Sequence, residues 1–202
     1  MADIAKTSAP KEATPLKVYI NDDMVTKVPM AGKGAPEGAA NDFRMGVKKV
    51  ITKLPGKGGI LAADVGTWVH SMFKDMPGTK IRWWGGLTYI NPNAFNAFAA
   101  IRVYGGAVPK ADTGMLAFAA AAGISPKIYG PLGVEVSEFC VFHEKYYNAG
   151  IDNANFYITT VAPYVTLGNF KIKALAQYWR VDTNKTEPWH YMQFGGGMEA
   201  TF

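Results

Sequence analysis

The chain has 202 residues, 49% of them apolar and 13% aromatic, with a formal net charge of +5. The composition excludes a disordered chain outside the first residues, and the length lets a single domain bury roughly 70% of the surface its unfolded form exposes. One cysteine, Cys140, excludes an internal disulfide framework. The longest run without charge or strong polarity, Met115–Ile124, is half alanine and falls short of the ~20 apolar residues that a membrane-spanning helix needs.

Residues 1–14 are polar and rich in Ala, Lys, Thr and Pro, and read as a flexible N-terminal arm. They hold no apolar run, so no classical secretory signal is expected and the protein is expected to be made in the cytoplasm. Leu16–Ile20 and Met24–Val28 alternate around Asn21-Asp22-Asp23, whose side chains tolerate turn geometry, and predict a β-hairpin. A loop follows over residues 29–40. Asn41 or Asp42 then caps a predicted helix with Phe43, Val47, Val50, Ile51 and Leu54 on one face and Arg44, Lys48, Lys49 and Lys53 on the other. Pro55-Gly56-Lys57-Gly58-Gly59 breaks it. A second helix is predicted over 61–76 from the stripe Leu61, Val65, Trp68, Val69, Met72, Phe73 and Met76, with Pro77-Gly78 as its stop. Residues 15–78 therefore read as a β-hairpin plus a helical hairpin whose stripes lie on an apolar platform.

From residue 79 to 202 the period changes to that of a β-rich body. Strands are predicted at Lys80–Trp84, Leu87–Ile90, Ala99–Tyr104, Met115–Ala121, Val134–Phe142, Asn155–Val161, Tyr164–Leu167 and Phe170–Val181. Gly85-Gly86, Gly105-Gly106, Pro126, Gly130-Pro131, Gly150 and Gly168-Asn169 punctuate them. Residues 95–101 and the alanine-rich 115–123 are compatible with helix as well. Trp84, Tyr104 and Phe194 each precede a glycine pair, which reads as an aromatic packing at a strand end before a tight turn. The fold class expected is mainly β with an N-terminal helical hairpin (α+β), the body being an antiparallel sandwich or barrel, with a jelly roll among the options.

No motif carries a reaction. Cys140-Val141-Phe142-His143 has the spacing of half a zinc site and no second half, so no metal and no cofactor are expected. Cys140 lies between aromatics, the setting of a small buried hydrophobe rather than a nucleophile. Glu135 and Glu138 differ by an odd number and fall on opposite faces of a regular strand. Neither the nucleophile elbow nor the P-loop spacing is present. The chain reads as more a non-enzyme than an enzyme; a β-fold enzyme would have to use Glu135, Glu138, His143 or Asp112.

The charge excess sits in the first 85 residues, which hold thirteen Lys and Arg against eight Asp and Glu; residues 86–202 hold eight of each. Arg44, Lys48, Lys49, Lys53 and Lys57, joined by Lys80 and Arg82, form a candidate basic strip for nucleic acid or other anions, against the plain alternative of a solvated surface. Trp83, Trp84, Tyr104, Trp179 and Trp189 are candidate aromatics for a subunit interface or a ligand. Strands apolar on both faces need a cover. The function expected is therefore a soluble, self-assembling structural protein, such as a virion coat, tube or decoration subunit. Its partners would be copies of itself and nucleic acid, with no membrane span. The alternative expected is a ligand-binding β-barrel or sandwich with an aromatic-lined pocket.

Overall fold

A computed structural model describes residues 16–31, 37–55, 58–72, 80–108, 113–146, 154–183 and 187–202. They form eleven strands: β1 (Leu16–Ala31), β2 (Gly38–Lys53), β3 (Ile60–Met72), β4 (Lys80–Asn91), β5 (Ala97–Val108), β6 (Thr113–Ile124), β7 (Lys127–Tyr129), β8 (Leu132–Tyr146), β9 (Ala154–Leu167), β10 (Phe170–Thr183) and β11 (Trp189–Thr201). The sheet order is β6-β5-β4-β3-β2-β1-β11-β10-β9-β8, with the short β7 beside β8. All pairings are antiparallel, and β6 pairs with β8 through Ala119↔Val141 and Ala121↔Phe139. That pairing closes ten long strands into a barrel with no free edge. β1 and β11 complete the ring, and Val18 and Phe202 exchange backbone hydrogen bonds of 2.9 and 2.8 Å.

Consecutive strands alternate direction, so one end of the barrel carries the start of β1, the end of β11, the β2–β3 connection and the turns at 92–96, 125–131 and 168–169. We call it the turn end and the opposite one the loop end. Gly168, at φ 60, occupies the first position of a two-residue hairpin, where a positive φ is required.

The strands alternate in an inverted sense. On β1, Asn21, Asp23, Val25 and Lys27 are buried, whereas Ile20, Met24 and Val28 are exposed. On β5 Ala99, Ile101 and Val103 are exposed, and the alternate positions hold buried Ala100, half-buried Arg102 and buried Tyr104. Polar and aromatic side chains thus fill the inside, and aliphatic ones cover the outside.

Several sequence expectations change accordingly. The helical hairpin is not seen: its residues form β2 and β3, and no helix occurs among the described residues. Phe43, Val47 and Ile51 recur every fourth residue, a spacing that fits a helix face and one strand face equally. Met45, between them, faces outward too. Phe73, Met76 and Pro77-Gly78 lie outside the described residues, as do the arm at 1–14, Lys57, Asp112 and Gly150. The hairpin turn at Asn21-Asp22-Asp23 is the middle of β1: Asn21 and Asp23 are polar for the interior rather than for a bend, and Asp22 takes a hydrogen bond from Asn41 on the outer face. Gly85-Gly86, Gly105-Gly106 and Gly195-Gly196 are also mid-strand. A Cβ on Gly105 would strike the Trp83 indole beside it on the outer face. Of the architectures expected for the body, the barrel stands; the single closed sheet leaves no sandwich or jelly roll.

Candidate functional site

The site is the barrel interior, and small residues make room for large ones within it. A Cβ on Gly46 would lie 2.6 Å from the Tyr19 hydroxyl, and one on Gly66 would lie 2.5 Å from the Trp84 ring. Ala117 and Ala119 of β6 back onto Trp84, Tyr104, Ile158 and Trp179 in one buried cluster. Small beside large is how a narrow barrel reaches close packing.

Toward the loop end the lumen is filled. Trp179 stacks on Tyr191 at 5.3 Å and Trp189 on Tyr191 at 5.8 Å. The Arg44 and Arg82 guanidinium groups both lie 4.7 Å from the Trp68 ring. Arg82 donates to Glu144, which is 1% exposed. Trp68 Nε1 donates to Asp42 Oδ1 at 3.0 Å, and His70 Nδ1 meets the same oxygen. Lys27 Nζ lies 3.1 Å from His70 Nε2. An ammonium only donates, so Nε2 accepts there and Nδ1 carries the proton toward Asp42. Gln177 joins three strands: it donates to Thr160 at 3.0 Å and accepts from Gln193 at 2.9 Å and Trp179 at 3.2 Å. Buried charges with this many partners make a rigid plug.

Toward the turn end the lumen opens into a cavity of about 480 Å³. Tyr19, Trp84, Phe98, Tyr104 and Phe139 line it, with Lys17, Lys48, Arg102, Lys171 and Lys173 among them. Arg102 pairs with Asp64 at 2.9 Å, and Thr88 donates to the same carboxylate at 2.9 Å. Lys173 pairs with Asp23 at 3.0 Å and donates to Asn21 at 2.8 Å. Lys171 lies 3.1 Å from Glu135 and 4.0 Å from Glu199.

The candidate basic strip is divided between the two faces. Arg44, Lys48, Lys80 and Arg82 occupy inward positions, while Lys49 and Lys53 are exposed on the other face of β2 or at its end. Among the aromatics, Trp84, Tyr104 and Trp179 are buried inside, Trp189 packs against them, and Trp83 points outward at 54% exposure. Lys17, Tyr19, Asp64, Lys171 and Lys173 were not singled out from sequence. Their signal was a charged or polar residue at every second position of an apolar strand, as in Phe170-Lys171-Ile172-Lys173.

No catalytic grouping forms among the described residues that carry candidate chemistry. Cys140 takes an outward position opposite Ala120 and Tyr157. His143 sits at a bulge with φ 51, and His190 stacks on Tyr178 at 5.7 Å. Glu135 faces the cavity; Glu138 accepts from Thr159 at 2.6 Å on the outer face. No group of three or more His, Cys, Asp or Glu among the described residues is placed to hold a metal ion.

No family model matches the sequence, and no curated protein matches it. Among solved structures, the beta domain of the Bordetella autotransporter Brka aligns with 95% of this chain and 100% of its own, at TM-score 0.45 and 10% identity. Neisserial surface protein A aligns with 93% of this chain and 97% of its own, at TM-score 0.31 and 10% identity. At that level of likeness neither says what this chain does.

The geometry corrects the expected function. A virion coat, tube or decoration subunit was inferred from apolar strands awaiting cover by other copies. The inner apolar faces are instead covered by the barrel's own lumen, and the outer ones form a belt around the whole ring. A soluble ligand-binding barrel is overturned by the same belt, because soluble barrels are polar outside. The expectations of solubility and of a place in a cytoplasmically assembled virion fall with it. No described helix is long and apolar enough to cross a membrane, which says nothing about strands.

Proposed function

We propose that this chain is a membrane-spanning β-barrel whose lumen is plugged at the loop end and open to water at the turn end. The observation that carries the reading is the inverted alternation around a closed ring. Val65, Ile101 and Phe118 are each more than half exposed on the outside, while Asp42, Asp64 and Glu144 are each 1% exposed inside. A soluble monomer rarely exposes apolar patches beyond a few hundred Å², and hydrocarbon is the solvent that suits such a belt. Closure gives each of the ten long strands a hydrogen-bonded neighbour on both sides, as lipid demands.

Length agrees. The ring strands run from 12 to 16 residues, and a tilted strand crosses a bilayer with about 9–11. Three polar pairs on the outer face are matched there: Asn41 donates to Asp22 at 2.5 Å, Thr159 to Glu138 at 2.6 Å, and Arg180 to Asp182 at 2.8 Å.

Flotation with phosphatidylcholine vesicles tests the reading. The refolded protein is expected to rise with the lipid and to resist alkaline carbonate. A folded, β-rich protein left in the aqueous fraction would overturn it. In a planar bilayer the plugged lumen is expected to give no steady conductance, and sustained open-channel current would contradict the closed end.

A further inference from the structure

We propose that the turn-end cavity binds an organic monoanion with a flat apolar body, its charge held by Lys17 and Lys48 and its body lying on Tyr19, Trp84 and Phe98. The inference rests on the barrel reading and names the ligand class of the same lumen.

Charge pairing supplies the anion preference. Four of the six cations lining the cavity are matched: Arg44 by Asp42, Arg102 by Asp64, Lys173 by Asp23, and Lys171 by Glu135 and Glu199. Lys17 and Lys48 also line the cavity, and neither has a carboxylate partner within 4.0 Å among the described residues. They flank the start of β1 and the end of β2, and the two residues are direct register partners. Two lysines on one register pair, both lining a walled cavity, attract an anion more strongly than they would in open water.

The walls supply the flat body. Tyr19 projects over Gly46, and the Lys48 ammonium lies 5.9 Å from its ring. Trp84 and Tyr104 lie 5.9 Å apart, and Tyr104 meets Phe139 edge-on at 6.1 Å. A planar ring stacks on such surfaces, and a cavity of about 480 Å³ lies within the usual ~300–1,000 Å³ range of small-molecule sites. The plug seals the loop end, so the anion enters and leaves at the turn end.

Calorimetric titration of the micelle-held protein with naphthalene-2-carboxylate tests this, with naphthalene-2-carboxamide as the neutral isostere and injections into empty micelles subtracted. Expected is one saturable site for the carboxylate, with the amide about tenfold weaker or worse, since a charged hydrogen bond is lost. The K17Q/K48Q double variant is expected to bind the carboxylate about tenfold more weakly, and K48R to keep the affinity. Equal affinity for carboxylate and amide, or unchanged binding in the double variant, overturns the proposal. The carboxylate–amide comparison on the unsubstituted chain stands even where the double variant does not fold. Vesicle flotation of the same preparation separates the two claims. A barrel that floats without discriminating the anion sinks only the ligand inference, and one that does not float sinks the membrane reading.

Discussion

The Asp64 carboxylate has no exposed surface in its side chain, and it takes one hydrogen bond from Arg102 and one from Thr88. A charge held that way is tolerable only while its partners remain. Arg102→Met strands it, and breaking one side of a buried pair costs about 3–5 kcal/mol. Adding Asp64→Leu removes the stranded charge, and most of the loss is expected to return. Urea unfolding of vesicle-inserted protein, followed by tryptophan emission, measures both. Equal losses in the single and double variants would contradict the pairing. The same logic applies to Glu144 beneath Arg82 and to Asp42 beneath Trp68 and His70.

On each strand the decisive property is which parity meets lipid. Ile101 sits mid-strand on β5, 63% exposed, opposite Leu87 and Ala120. Ile101→Arg is expected to weaken folding into vesicles by about 2–4 kcal/mol, the cost of a cation at the bilayer midplane. Ala100→Ser, one residue away and facing the cavity, is expected to change it little. Similar losses at both would contradict the assignment of faces. Strands of the second half were legible in sequence: Phe170–Val181 lies within β10, and Val134–Phe142 within β8. β2 was not, because every fourth residue serves both periods and because Lys48 and Arg44 look solvated when they are in fact enclosed. β3 misled for a further reason. Its inward residues include Ala62 and Trp68 beside Asp64 and His70, so neither face is uniformly polar. β1 and β9 were each cut in two by residues with turn propensity, Asn21 to Asp23 and Ala162-Pro163, that the barrel carries in mid-strand.

Across the whole molecule, β content and antiparallel pairing were readable, and the inversion of inside and outside was not. Reading polar as surface is safe in water and fails in lipid. The basic strip followed that rule, yet Arg44 and Lys48 are lumenal and Lys49 is outside. The adjacent pair Trp83 and Trp84 makes the inversion measurable, since one is 54% exposed on the outer face and the other 6% exposed in the lumen. Brominated acyl chains quench tryptophans that touch them. In vesicles of such lipid, Trp83→Phe is expected to remove a large part of the quenching, and Trp84→Phe is expected to leave it intact. Quenching that survives Trp83→Phe but disappears with Trp84→Phe would contradict an apolar face turned to lipid around a polar and aromatic interior.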